Sequence, residues 1–477
     1  GITIGVADTG VDAGSDGVID STWNTMRSYP GEWAIIDGQN SCNNNTGSAI
    51  RNSGYDHAVG TVSSDFAQAW AFERLEITNA SDNSTVASGL WWNGGPFIAR
   101  YLYVHDCNVS GSSGLPTGIG GCSWRDATVE YNYCADNGAT TIDGNIANSS
   151  QMSIHAAWEY NGGTVDTGWC MKNNTIRYNY LYTSRRTSGI LVKGSERIED
   201  TRNGSDDTYE TWGDDIHHNI IIGGTGEGAG LRYMQDYVQV YKNIIAPYGS
   251  AERTAGICVK RLASEGVHNN ILQPVVYNNT IVGGALGITN NWKYNAGDSS
   301  AWWCYNNVLD GQPGDWARCA ISMNDEYDSL PAEYTYSTVD DVIDRNYFYR
   351  NTKAGGKRIA IGWDQAEESY FYTPAQYEAV NSGIDLFNRD SEDEGDTLFV
   401  GTSGSDRYRT RSAHNLNETG DTVGSSGIGG NHPYLSGVTI PSYIGATNPS
   451  DDDWVAGVLA MDASYFTSQT AGSDPSW

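Results

Sequence analysis

The chain has 477 residues, 58 acidic side chains against 28 basic ones, and a formal net charge of −30. That charge opposes nucleic acid and anionic membrane as partners, and no run of 18 apolar residues is present to span a bilayer. Gly 57, with Tyr 30 and Trp 16 against Phe 8, describes a turn-rich protein whose aromatic side chains mostly carry a polar edge.

In chain order, residues 1–70 read as irregular opening coils. Ile4-Gly-Val-Ala-Asp8-Thr-Gly10 resembles the aspartate motif of subtilisin-like proteases, but the histidine and serine motifs of those enzymes are missing, so turn chemistry is the better reading. From Ala71 the text alternates in the manner of strands, as in Phe72–Asn79 and Ala99–Asp106. Two phrases then recur up to Trp363. The first is a small residue followed by an aliphatic or aromatic one: Gly89-Leu90, Gly118-Ile119, Ala157-Trp158, Gly189-Ile190, Gly230-Leu231, Gly256-Ile257, Gly287-Ile288, Ala320-Ile321 and Ala360-Ile361. The second is an asparagine two residues ahead of a mostly aliphatic one, at Asn132, Asn179, Asn219, Asn243, Asn279, Asn307 and Asn346.

The first phrase returns after as few as 26 positions. That is too short for a propeller blade of ~40–45 residues but sufficient for one coil of a stacked solenoid. The reading is therefore an all-β parallel β-helix of about nine to ten coils over 71–363, with longer gaps as inserts and 364–477 as closing coils and cap. A cap is required because an open end of stacked strands invites pairing. The aliphatic column points inward, and the asparagine column sits at a bend where stacked amides bond to one another.

Glu32–Gly38, the opening strands, Val276–Gly284 and the exit Tyr372–Tyr377, Gly383–Asp385 and Asp396–Val400 together resemble the pectate-lyase-like superfamily of right-handed parallel β-helices. The resemblance covers about residues 30–440. It implies right-handedness and polysaccharide lyase or glycoside hydrolase chemistry; its motifs are structural and carry fold better than activity.

Alternation past the aliphatic residue of each phrase places Glu159, Lys193, Arg232 and Lys260 on one outer face. Uronate lyases need a cation to neutralise the carboxylate beside the acidic C–H, and a base to take the proton. Arg232 fits the first role and Lys193 or Lys260 the second, while Glu159 would orient a lysine or hold a calcium ion. Arg185, Arg186, Arg261, Trp91, Trp292 and Lys293 are candidates for substrate binding, and Trp92, Trp302 and Trp303 are further candidate platforms. The expected activity is thus β-elimination on an acidic polysaccharide by a secreted, extracellular protein, consistent with a chain that begins at Gly1 like a mature protein.

Three alternatives accompany this reading. The basic residues and Glu159 form an ion-pair ladder without chemistry. A glycoside hydrolase would use two carboxylates, for which Asp214-Asp215 resembles the polygalacturonase pair although that family's Gly-His-Gly and Arg-Ile-Lys motifs are absent. A non-catalytic β-helix would bind or self-assemble. No cofactor is demanded, and calcium near Asp390–Asp396 or Asp451–Asp453 lacks EF-hand spacing. His217 and His218 alternate across a strand and read as structural. Among eight cysteines there is no CxxC pair, which argues against zinc. Proximity suggests disulfides from Cys107 to Cys122 or Cys134, and from Cys304 to Cys319.

Overall fold

The computed structural model describes the coil strands with their connecting turns, together with residues 398–400, 408–411, 443–447 and 453–468; inserts such as 5–22, 81–87, 108–116, 139–149, 156–172, 194–213, 261–274, 292–302, 324–341 and 417–442 lie outside the described residues. The fold is an all-β, right-handed parallel β-helix. Three strands recur per coil, and each pairs in parallel with its counterparts in neighbouring coils. We call the three sheets A, B and C in the order the chain visits them. The strands divide into two compact units. The first comprises Gly1–Asp215, Ile222–Gly228 and Ala460–Trp477; the second comprises Ile216–Ile221 and Ala229–Leu459.

In sheet A of the first unit the register runs Ile2, Ile50, Leu90, Ile119, Met152, Ile190. In the second unit it runs Leu231, Ile257, Ile288, Ile321, Ile359. From Ile50 onward every one of these side chains is fully buried. Each such burial stabilises by roughly 1.5–3 kcal/mol relative to exposure, which is why the aliphatic column fixes the register. The stacking starts at Ile2, so the opening residues already carry the coil.

Two expected rungs are corrected. The strand of the third phrase is Ser150–His155, with Met152 in the core column, and Ala157-Trp158 lies outside the described residues. In the last coil Ile359 takes the column and Ala360 falls level with Ser322. The small residue ahead of the aliphatic has a steric cause at the other rungs. A Cβ on Gly230 or Gly256 would run into Ile245 or Ile281 of sheet C, and one on Gly89 into Val104. Gln151 takes the same place in the odd rung by a polar route. Its Oε1 accepts from Asn137 N (3.1 Å) and Nδ2 (3.0 Å), and its Nε2 donates to Asn137 O (2.7 Å) and Thr187 Oγ1 (3.2 Å).

The asparagine column holds the bend between sheets B and C. In the second unit the amides of Asn219, Asn243, Asn279, Asn307 and Asn346 donate one to the next at 2.9–3.1 Å. Each receiving oxygen also accepts the backbone N–H of the preceding asparagine. Asn132 and Asn179 repeat the pattern in the first unit. The residue just before each asparagine has φ of 50–56°, as at Tyr131, Tyr178, His218, Lys242 and Arg345. A left-handed conformation costs a side-chain-bearing residue roughly 1–2 kcal/mol, and the saturated amide column offsets it.

The cysteines do not form the expected bridges. Cys107, Cys122, Cys134, Cys258 and Cys304 are buried thiols outside any disulfide. Cys134 fills the sheet C core column between Val104 and Leu181, and Cys304 the sheet B column between Val276 and Ile343. There they serve as small apolar side chains. Where a short cap helix was expected near Thr373–Val380, Gln376 N donates to Thr373 Oγ1 (3.2 Å) and Thr373 N to Gln376 Oε1 (2.9 Å), the reciprocal pattern of a capping box, while residues 377–380 lie outside the described residues. Among the described residues no helix is long and apolar enough to cross a membrane.

Candidate functional site

Sheet A carries the described part of the predicted site. Lys193 ends the strand Ser188–Lys193 of the first unit, and its Cα partner is His155, which in turn pairs with Cys122. Arg232 and Lys260 belong to the second unit. Arg232 is level with Cys258, two residues before Lys260 on the adjacent strand. A strand spacing of ~4.8 Å and a rise of ~3.3 Å per residue separate their Cα atoms by about 8 Å. Lys260 is itself level with Asn291.

Glu159, Arg185, Arg186, Arg261, Trp292 and Lys293 lie outside the described residues, as does Trp302. The register correction removes Glu159 from the rung it was expected to occupy: Ser153 stands there, level with Gly120 and Leu191. Trp91 is outward on sheet A but only 3% exposed, and its ring closes on the side of Gly120 where a Cβ would sit. Trp92 points into the core and packs edge-on against Phe72 with centroids 5.1 Å apart, so it is no sugar platform. Trp303 is buried in sheet B.

The outward positions of sheet A are not bare. Ser153, Leu191, Cys258 and Thr289 are each 7% exposed or less. Burial pushes the Cys122 thiol up to about 12, so it stays protonated at neutral pH and is no nucleophile. His155 is the residue that sequence reading missed beside Lys193. Its signal was the alternation Met152-Ser-Ile-His155, masked by the absence of a small residue ahead of Met152.

The carboxylate pair weighed for hydrolysis is split in role. The Asp214 carboxylate is buried and accepts from Asn174 N (2.8 Å) and Nδ2 (3.0 Å), extending a polar ladder between sheets A and B. Asp215 begins a strand, and burial raises its carboxyl from 3.8 to about 6. In the second unit His217 stacks on Tyr241 at 4.6 Å, and His218 meets Trp454 edge-on at 5.0 Å. Both histidines are structural. Among the described residues no group of three His, Cys, Asp or Glu side chains is placed to hold a metal.

A different surface is fully described in the first unit. The outward column of sheet B nearest the bend reads Arg27, Glu73, Arg100, Glu130, Arg177 on consecutive rungs. Arg100 donates to Glu73 through Nε (2.7 Å) and Nη2 (2.6 Å), and Arg177 to Glu130 through both at 2.8 Å. The neighbouring outward column is neutral, with Thr25, Ala71, Ile98, Thr128 and Thr175. At the bend itself Tyr101, Tyr131 and Tyr178 stack with centroids 5.4 and 5.1 Å apart, and Arg74 lies over Tyr101 at 5.7 Å.

No family model matches the sequence, and neither a curated protein nor a solved structure is significantly similar to it.

Proposed function

We propose that the protein acts on an acidic polysaccharide by β-elimination outside the cell, as a member of the pectate-lyase-like superfamily that its coil phrases resemble. The observation that carries this reading is the register of Arg232 and Lys260, a guanidinium and an amine on adjacent strands of sheet A in a chain of net charge −30. Their Cα atoms, about 8 Å apart, fall within the span of one disaccharide. Arg232 would neutralise the uronate carboxylate and so acidify the neighbouring C–H. Lys260 would remove that proton, an adjacent cation being the kind of neighbour that favours the neutral amine. Electrons of the broken C–H bond form the ring double bond as the glycosidic oxygen at the β carbon departs. Calcium keeps only the role of an alternative neutraliser.

The test is incubation with a panel of acidic and neutral polysaccharides. Rising ultraviolet absorbance marks the unsaturated product of elimination. Reducing ends without that absorbance would replace the lyase by a hydrolase. Binding without either would leave a non-catalytic β-helix.

A further inference from the structure

We propose that the outer corner of sheets B and C in the first unit is a binding surface for an extended acidic polysaccharide, separate from sheet A. The acidic class of ligand rests on the function proposed above, while the surface itself is argued independently. The charged column of sheet B sets Arg27, Arg100 and Arg177 against Glu73 and Glu130, and Arg74 adds a fourth arginine at the bend over Tyr101. The neighbouring column is neutral. With Glu76 of sheet C counted as a third carboxylate, this surface still carries one more arginine than carboxylate in a chain that is strongly negative as a whole, and it attracts the class of polymer that the rest of the molecule repels.

The groups are also accessible. The side chains of Arg27, Arg100 and Arg177 are 52%, 40% and 39% exposed. The pairing to glutamate restrains Arg100 and Arg177, and a guanidinium presents a fork that matches carboxylates.

The spacing selects a linear ligand. Arg27, Arg100 and Arg177 fall on every second rung, about 10 Å apart at the usual strand spacing. An extended two-fold glycan likewise turns every second sugar, with its carboxylate, to the same side. Alongside, Tyr101, Tyr131 and Tyr178 stack face on face, so their phenol edges rather than ring faces meet the ligand. They supply one hydroxyl per coil for hydrogen bonding to sugar hydroxyls. A polymer lying along the helix axis is thereby favoured over a single sugar stacked on a ring.

The test uses affinity electrophoresis of the full chain through gels containing polygalacturonate, alginate or a neutral glucan. Arg27→Gln with Arg74→Gln removes two of the four arginines and leaves the Arg100–Glu73 and Arg177–Glu130 pairs in place. The expected result is retardation by an acidic polymer that weakens with salt, and at least fivefold weaker binding in the double variant with an unchanged melting temperature. If elimination is observed, the variant should keep its rate on short oligosaccharides and lose it on long chains. Retardation that persists without any elimination would overturn the lyase but uphold this surface. Equal retardation by the neutral glucan, or unaltered acidic binding in the double variant, would overturn it.

Discussion

The Oδ1 of Asn279 accepts two hydrogen bonds from Asn243, one from its side-chain amide at 3.1 Å and one from its backbone N–H at 3.0 Å. A single side chain therefore satisfies a donor in the next coil and pins the bend of that coil, while its own Nδ2 reaches Val240 O and Asn307 Oδ1. Asn279→Ala removes this junction and leaves buried donors unmatched at roughly 1–3 kcal/mol each. A loss of about 2–4 kcal/mol is expected from urea unfolding. Asn279→Asp keeps the acceptor but loses the donor, and its carboxylate faces the oxygen of Asn307. It should therefore be no better than alanine at neutral pH.

Gly256 lies where a Cβ would meet Ile281 Cγ2 and come within 2.8 Å of Gly287 O. Gly256→Ala should cost about 1–3 kcal/mol through overpacking. Ile281→Leu deletes that methyl branch, so the double variant should recover part of the loss. Additive losses in the two variants would show that the backbone contact alone sets the cost.

Asp215 gives a pH dependence whose sign follows from burial. Its carboxyl titrates at about 6 in the fold against an ordinary 3.8, so the unfolded chain releases that proton first. Its unfavourable contribution is absent below about pH 4, grows as pH rises through 6 and is constant above. Asp215→Asn should stabilise the protein at pH 7 by up to ~3 kcal/mol and leave it unchanged at pH 4. Melting temperatures of both proteins across that range check the point.

Cys107, Cys122, Cys134, Cys258 and Cys304 should resist alkylation in the native protein and react without prior reduction once it is unfolded. Mass spectrometry after alkylation, with and without denaturant, counts them directly. Burial raises the thiols of Cys122, Cys134 and Cys304, which adds a chemical barrier to the steric one.

The asparagine column was legible in the sequence because one residue type is needed at every rung: all seven asparagines are fully buried. The aliphatic column was legible only where glycine or alanine preceded it. Gln151 meets the same steric demand with hydrogen bonds instead of a missing Cβ, so Met152 was overlooked and Glu159 took its coil. The Ile359 rung slipped because Ala360-Ile361 copies the phrase two residues too late, and Ile359 and Ile361 share the same face of the strand, so alternation alone does not separate them. The cysteines misled through proximity in sequence, which a solenoid decouples from side-chain direction. The Arg–Glu alternation on sheet B was not read at all. Its members stand 27 to 47 residues apart, and only the strand register makes them neighbours.

The short helix Ala463–Ser468 belongs to the first unit, where Phe466 packs against Trp33, Tyr103 and Tyr133 at 5.9–6.4 Å and is 1% exposed. Synthesis runs the other way: Phe466 leaves the ribosome roughly 330 residues after Tyr133. At ~5–20 residues per second that delay is on the order of 15–70 s. During it the nascent coils present an uncovered aromatic strip, and every polysome carries several chains at that stage. Translation speed and chaperone occupancy while residues 134–466 are made therefore bear on yield.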